Sequence, residues 1–179
     1  GSEMCIRDRM KAYREQHGRV ERGAYPAILT SASAHFSIAR AAVAAGLGTD
    51  AVVHIRTDAH GRMDVRELER MCAEMQADAA HPQGVPLIVC ATSGTTVLGA
   101  FDDVAAIAEV CRKYNLWLHV DASWGGAAAF LPHDAPERSV IAGLENAHSI
   151  TINPHKLLGV THQCSFLLCL LYTSPSPRD

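Results

Sequence analysis

Short apolar runs alternate along the chain with stretches whose apolar residues recur every three or four positions. Ala27-Ile28-Leu29-Thr30 reads as a buried strand, and after a break at Ser31 to Ala34 the alanine-rich segment Phe36 to Val43 reads as a helix stopped at Gly46. Val52-Val53-His54-Ile55 gives a second strand. Asp58 to Gly61 makes a turn, and Asp64 is placed to cap a helix in which Val65, Leu68, Met71, Cys72 and Met75 share one face. Pro82, Gly84 and Pro86 end that helix. Leu87 to Ala91 is an unbroken apolar run, the pattern of a central parallel strand covered on both sides. Val104, Ile107, Ala108 and Cys111 form a further helical stripe; Leu116 to Val120 is a strand ending at Asp121, and Ser149 to Ile152 a strand ending before Asn153. The alternation predicts an α/β domain on a mainly parallel sheet with helices on both faces.

In such a sheet, ligands bind beyond the carboxyl ends of the strands. The polar groups there are Ser31 to His35, Thr92-Ser93-Gly94-Thr95-Thr96, Asp121-Ala122-Ser123 and Asn153-Pro154-His155-Lys156, and they are expected to converge on one crevice. Gly46-Leu47-Gly48-Thr49-Asp50-Ala51 matches a loose dinucleotide fingerprint, but it follows a helix and precedes a strand, the reverse of what a pyrophosphate site requires. No Gly-Lys-Ser/Thr triplet and no Gly-x-Ser-x-Gly elbow occurs.

Charge narrows the ligand class. The 179 residues hold 16 Lys and Arg against 19 Asp and Glu, a net charge of −3, which offers no basic face to nucleic acid or to an anionic membrane. A small molecule is the expected partner. No stretch reaches the roughly 18 to 20 uncharged apolar residues of a spanning helix, and no apolar segment follows the charged N-terminus, so cytoplasmic residence is expected. The six cysteines lack a Cys-x-x-Cys pair, and His155, His162 and Cys164 form no familiar ligand spacing, so neither disulfides nor a metal is expected.

The two ends have their own signature. Met4-Cys5-Ile6-Arg7-Asp8 can be encoded by ATGTGTATAAGAGAC, whose reverse complement fits the codons of Cys169 to Ser174. Residues 1–9 and 169–179 resemble the two orientations of a sequencing-library adaptor read as protein, leaving 10–168 as a fragment of a larger domain.

Three residues stand out for chemistry. Asp121 closes a strand, where an unpaired carboxylate is costly unless a cation or several donors meet it; an N-cap for the next segment is its ordinary alternative. Lys156 follows Asn153-Pro154-His155 at a strand end, although a lone lysine is usually a solvated surface charge. His35 closes a polar run before a helix, where a histidine is often just a satisfied interface group.

Their neighbours carry a resemblance. Ser31-Ala32-Ser33-Ala34-His35-Phe36-Ser37-Ile38, Ala91-Thr92-Ser93-Gly94-Thr95-Thr96 through Asp102, Trp117-Leu118-His119-Val120-Asp121-Ala122-Ser123-Trp124-Gly125-Gly126 and Asn153-Pro154-His155-Lys156-Leu157-Leu158-Gly159-Val160 resemble the group II pyridoxal-phosphate decarboxylases. Gly99-Ala100-Phe101-Asp102, Tyr114-Asn115-Leu116-Trp117 and Gln163-Cys164-Ser165 are similar to the glutamate and cysteine-sulfinate branch. The resemblance implies part of the large domain of the fold-type I pyridoxal-phosphate transferase fold and decarboxylation of an acidic amino acid (glutamate, cysteine sulfinate or aspartate). It implies Lys156 as the lysine that carries the cofactor as a Schiff base, Asp121 as the partner of the ring nitrogen, and His35 and Ser123 on opposite ring faces. Relatives commonly have alanine where Ser123 stands. Thr92, Asn153 and His155 would contact the cofactor, the latter two beside its phosphate.

It further implies a homodimeric parent, a phosphate cradle upstream of Met10, and a tyrosine loop and substrate-reading basic group beyond Leu168, so that the fragment alone is expected to be inactive. An aminotransferase or carbon–carbon lyase of the same fold, or a non-catalytic remnant, are the alternatives.

Overall fold

The computed structural model describes residues 10, 11, 15, 25–78 and 84–169. The expected tails at 1–9 and 169–179 lie outside these except for Cys169. From residue 25 on, the described residues form, in order, β1 (Pro26–Ser31), α1 (Ser37–Ala44), β2 (Val52–Ile55), α2 (Val65–Ala77), β3 (Val85–Thr92), α3 (Val104–Lys113), β4 (Trp117–Asp121), β5 (Ser149–Ile152), α4 (Pro154–Leu157) and β6 (Phe166–Cys169). Between β4 and β5 the chain runs through three 3-10 turns, Gly125–Phe130, Pro136–Ile141 and Leu144–Asn146.

The strands form one six-stranded sheet in the order β2-β1-β3-β4-β5-β6. β1 to β5 pair in parallel, and β6 returns antiparallel along β5. The fold is therefore α/β with a mainly parallel sheet, as the alternation predicted, with an antiparallel edge strand that the pattern did not reveal. Among the described residues no helix is long and apolar enough to cross a membrane.

Local chemistry sets the element ends. Asp64 caps α2, its carboxylate accepting the backbone N–H groups of Arg66 and Glu67, and Asp103 does the same for α3 through Ala106. Gly46, at φ +79°, takes the left-handed conformation that turns the chain after α1, so the glycines resembling a nucleotide fingerprint serve as a helix stop.

The sheet's two faces differ in kind. On one, Leu29, Val53, Val89, Leu118, Val120 and Ile150 join the apolar sides of α2 and α3 in the main core. On the other, Ile28, Ile88 and Trp117 pack with Ile38, Ala41 and Ala42 of α1. Residues in register across parallel strands share a face, and this second face grades from apolar to polar toward the carboxyl ends. Ile28, Ile88 and Trp117 lie in one row; Thr30, Cys90, His119 and Ser149 in the next; Thr92, Asp121 and Thr151 in the last. That gradient delivers polar side chains to the strand ends, the usual ligand side of an open α/β sheet.

Candidate ligand crevice at the strand ends

A crevice of about 310 Å³ opens at the end of this graded face. Thr92 and Gly94 come from the end of β3, Asp121, Ser123 and Trp124 from the end of β4, and Thr151, Asn153 and Lys156 from β5 and its sequel. His35 from the β1–α1 connection and Ser37 at the start of α1 close it, with Ser165 just before β6 and Phe166 and Leu167 within that strand. The four polar clusters at the strand ends thus meet in one place.

Asp121 is half-buried, and its Oδ1 accepts the backbone N–H of Ser123 at 3.1 Å. That contact is a local turn of the kind the capping alternative describes, yet it satisfies a small part of a carboxylate's capacity. Lys156 is also half-buried, its Nζ standing 5.2 Å from the centre of the Trp124 ring. The backbone N–H of Lys156 donates to Asn153 O at 3.0 Å within the turn that Pro154 opens. Neither charge forms an ion pair within 4.0 Å among the described residues. An anion and a cation therefore line one small crevice without neutralising each other.

The other nominated residues divide. His35 reaches the crevice; its Nδ1 accepts the N–H of Ser37 at 3.3 Å, and its ring lies 4.1 Å from that of Phe36. Thr92, Ser123 and Asn153 also line it, with Asn153 Oδ1 accepting the Ser165 hydroxyl at 2.7 Å. His155 is the exception. It is absent from the lining, and its Nδ1 sits 2.7 Å from Cys164 O and 3.2 Å from Cys164 N, tying the lysine's turn to the segment before β6.

Two buried groups support the walls. Asp102, 4% exposed, accepts the N–H of Met63 and that of Thr92, each at 2.7 Å, and its own N–H returns to Thr92 O. Burial raises its pKa and the two backbone donors oppose that rise. His119 lies beneath the crevice, its Nδ1 2.8 Å from Ser149 Oγ and its Nε2 3.4 Å from Thr151 Oγ1. Burial pushes its pKa down to about 4, against the pull of Asp121.

The pyridoxal-dependent decarboxylase conserved domain matches residues 3–170. The chain belongs to the pyridoxal-dependent decarboxylase family. It is 42% identical over 162 residues to glutamate decarboxylase of Drosophila melanogaster, covering 90% of this chain and 31% of that protein. It is 46% identical over 142 residues to human cysteine sulfinic acid decarboxylase, covering 79% of this chain and 27% of that one. The crystal structure of mouse CSAD superposes with a TM-score of 0.77 at 41% identity over 94% of this chain and 36% of the other. The decarboxylase domain of a Vibrio parahaemolyticus diaminobutyrate enzyme gives 0.81 at 30% identity, over 93% and 36%. This family member falls in the glutamate and cysteine-sulfinate branch and spans about a third of the length of the relatives it matches.

Several crevice residues escaped the sequence reading as individuals. Thr151 lies inside a strand with no distinguishing motif, and Ser165 and Trp124 stand in segments that carry the family resemblance without a task of their own. His119 carried a usable signal, since a histidine two residues before a strand-end aspartate must share its face.

Proposed function

We propose that this chain is the pyridoxal-phosphate-binding portion of a decarboxylase that acts on an acidic amino acid: glutamate, cysteine sulfinate or aspartate. The observation that carries the reading is the pair formed by Asp121 and Lys156, both lining one crevice and neither ion-paired among the described residues. A ligand with a cationic ring nitrogen and an aldehyde suits both groups. When bound, pyridoxal phosphate supplies that aldehyde and a protonated ring able to accept the electron pair left at the substrate's Cα.

Each residue then has a task. Lys156 would hold the aldehyde carbon through its amine, which reaches the crevice from the turn after β5. Asp121 keeps a proton on the ring nitrogen by placing a carboxylate beside it. The His35 ring, beside that of Phe36, and the Ser123 hydroxyl both line the crevice and would flank the cofactor ring. Thr92 and Asn153 are polar edges of the same site. His155 acts at one remove, bracing the turn that carries Lys156 through its contact with Cys164. The parent protein is proposed to work as a homodimer.

Carbon dioxide release from the full-length protein, supplied with pyridoxal phosphate and each acidic amino acid, tests this function. The expected result is release that Lys156→Ala abolishes, by more than about 1,000-fold for loss of a covalent group. A keto acid formed without carbon dioxide, or turnover unchanged in the variant, overturns it.

A further inference from the structure

Beneath the crevice, four polar side chains make a connected line inside the sheet. Trp117 Nε1–H donates to Ser149 Oγ at 3.0 Å, the same oxygen lies 2.8 Å from His119 Nδ1, and His119 Nε2 lies 3.4 Å from Thr151 Oγ1. His119 is 1% exposed and Ser149 fully buried, while Thr151 is on the crevice wall. A neutral imidazole has one donor and one acceptor nitrogen, and a hydroxyl can take either role, so this line serves both ring nitrogens without a second ring proton. His119 also stands two residues before Asp121 on the same face of β4, and Thr151 is the register neighbour of Asp121.

We infer that His119 is a positioning residue of the crevice: an uncharged link that holds the Thr151 hydroxyl in the wall and leaves the charge of Asp121 for a cationic ligand group. A protonated ring at this position would compensate Asp121 from inside the protein and remove its demand for an outside cation. The titratable groups near it are Asp121 on its own strand and Cys90 beside it on β3, with His148 stacked on Trp117 at the other end of the line and His35 and Lys156 in the crevice lining above. Of these Asp121 favours the ring's protonation, and burial of the ring outweighs it.

The link to the ligand rests on the cofactor reading above; the protonation state does not, and the two are tested separately. Ring resonances of the 179-residue chain, followed by NMR without any ligand, are expected to show His119 neutral throughout about pH 5 to 8, the range over which an ordinary histidine changes charge. Titration of His119 within that range overturns the inference whether or not the cofactor binds. Pyridoxal phosphate is the probe for the second half. In the full-length protein, His119→Gln, which keeps a neutral donor and acceptor, is expected to bind it within about threefold of the unmodified protein, and His119→Phe about tenfold more weakly, the scale of one lost hydrogen bond. Equal binding by all three chains overturns the positioning role. Binding by none of them, with His119 neutral, counts against the cofactor reading and leaves the protonation result standing.

Discussion

At the scale of single residues, burial decides which groups are charged, and charge decides what the crevice can hold. Asp121 and Lys156 are half-buried at strand ends and keep enough contact with solvent to remain useful, whereas His119, two residues deeper, is enclosed. Its folded pKa of about 4 lies below the ordinary histidine value of 6.5, so the unfolded chain binds more protons than the folded one between those limits. Stability from this group is complete above about pH 6.5 and is lost as the pH falls toward about 4, by at most about 3 kcal/mol. The depressed carboxylates of Asp58, Asp64 and Glu67, held by backbone N–H groups or by Arg70 and Arg56, give way only at lower pH. Urea unfolding at about pH 7 and about pH 5 is expected to show a loss in the unmodified chain that is much smaller in His119→Gln; equal losses in both would contradict it. The sequence marked Asp121, Lys156 and His35 because strand-end polar groups stand out against apolar runs. It placed Asp102 in a family-like segment without a task, because its value lies in two backbone N–H groups brought to it from Met63 and Thr92, a convergence that no spacing encodes.

At the scale of elements, the five parallel strands and the three longer helices were legible because each carries its own period. The Leu87–Ala91 run became β3 with little change, and Asp64 caps α2 where its position implied. β6 was not legible: Phe166-Leu167-Leu168-Cys169 is short and apolar, its pairing with β5 is non-local, and its last residue falls in the segment assigned to a tail. The 3-10 turns between Gly125 and Asn146 have too few residues to show periodicity. The first of them matters most to the site. Gly125 donates its N–H to Ser93 O at 2.9 Å, and Ser93 bridges to Phe101 across the loop that Asp102 closes. A Cβ on Gly125 would strike the Phe101 ring and come within 2.6 Å of Ser93 O. Gly125→Ala is therefore expected to cost about 1–3 kcal/mol by overpacking and to weaken pyridoxal phosphate binding by displacing the Thr92–Gly94 wall. Thermal unfolding and a binding titration check both; an unchanged melting temperature would show that the loop is not held as tightly as these contacts require.

At the scale of the whole molecule, one sheet face makes the core with α2 and α3 while the other leads polar side chains to its carboxyl edge. The strand-end rule for open α/β sheets put the ligand at that edge before any side chain was placed, and four separated segments of sequence do meet there. The central claim is that Lys156 holds an aldehyde opposite Asp121. It is testable in this chain because the sequence has three lysines, Lys11, Lys113 and Lys156. Lys113 is ion-paired with Glu69 at 2.7 Å and Lys11 is exposed beside Glu15, so neither shares the character of the crevice. The direct measurement is to incubate the 179-residue chain with pyridoxal phosphate, reduce with borohydride and map the adduct by mass spectrometry. Modification is expected to concentrate on Lys156 and to fall in Asp121→Asn; modification spread evenly over the three lysines, or indifferent to Asp121, would contradict a Lys156 site.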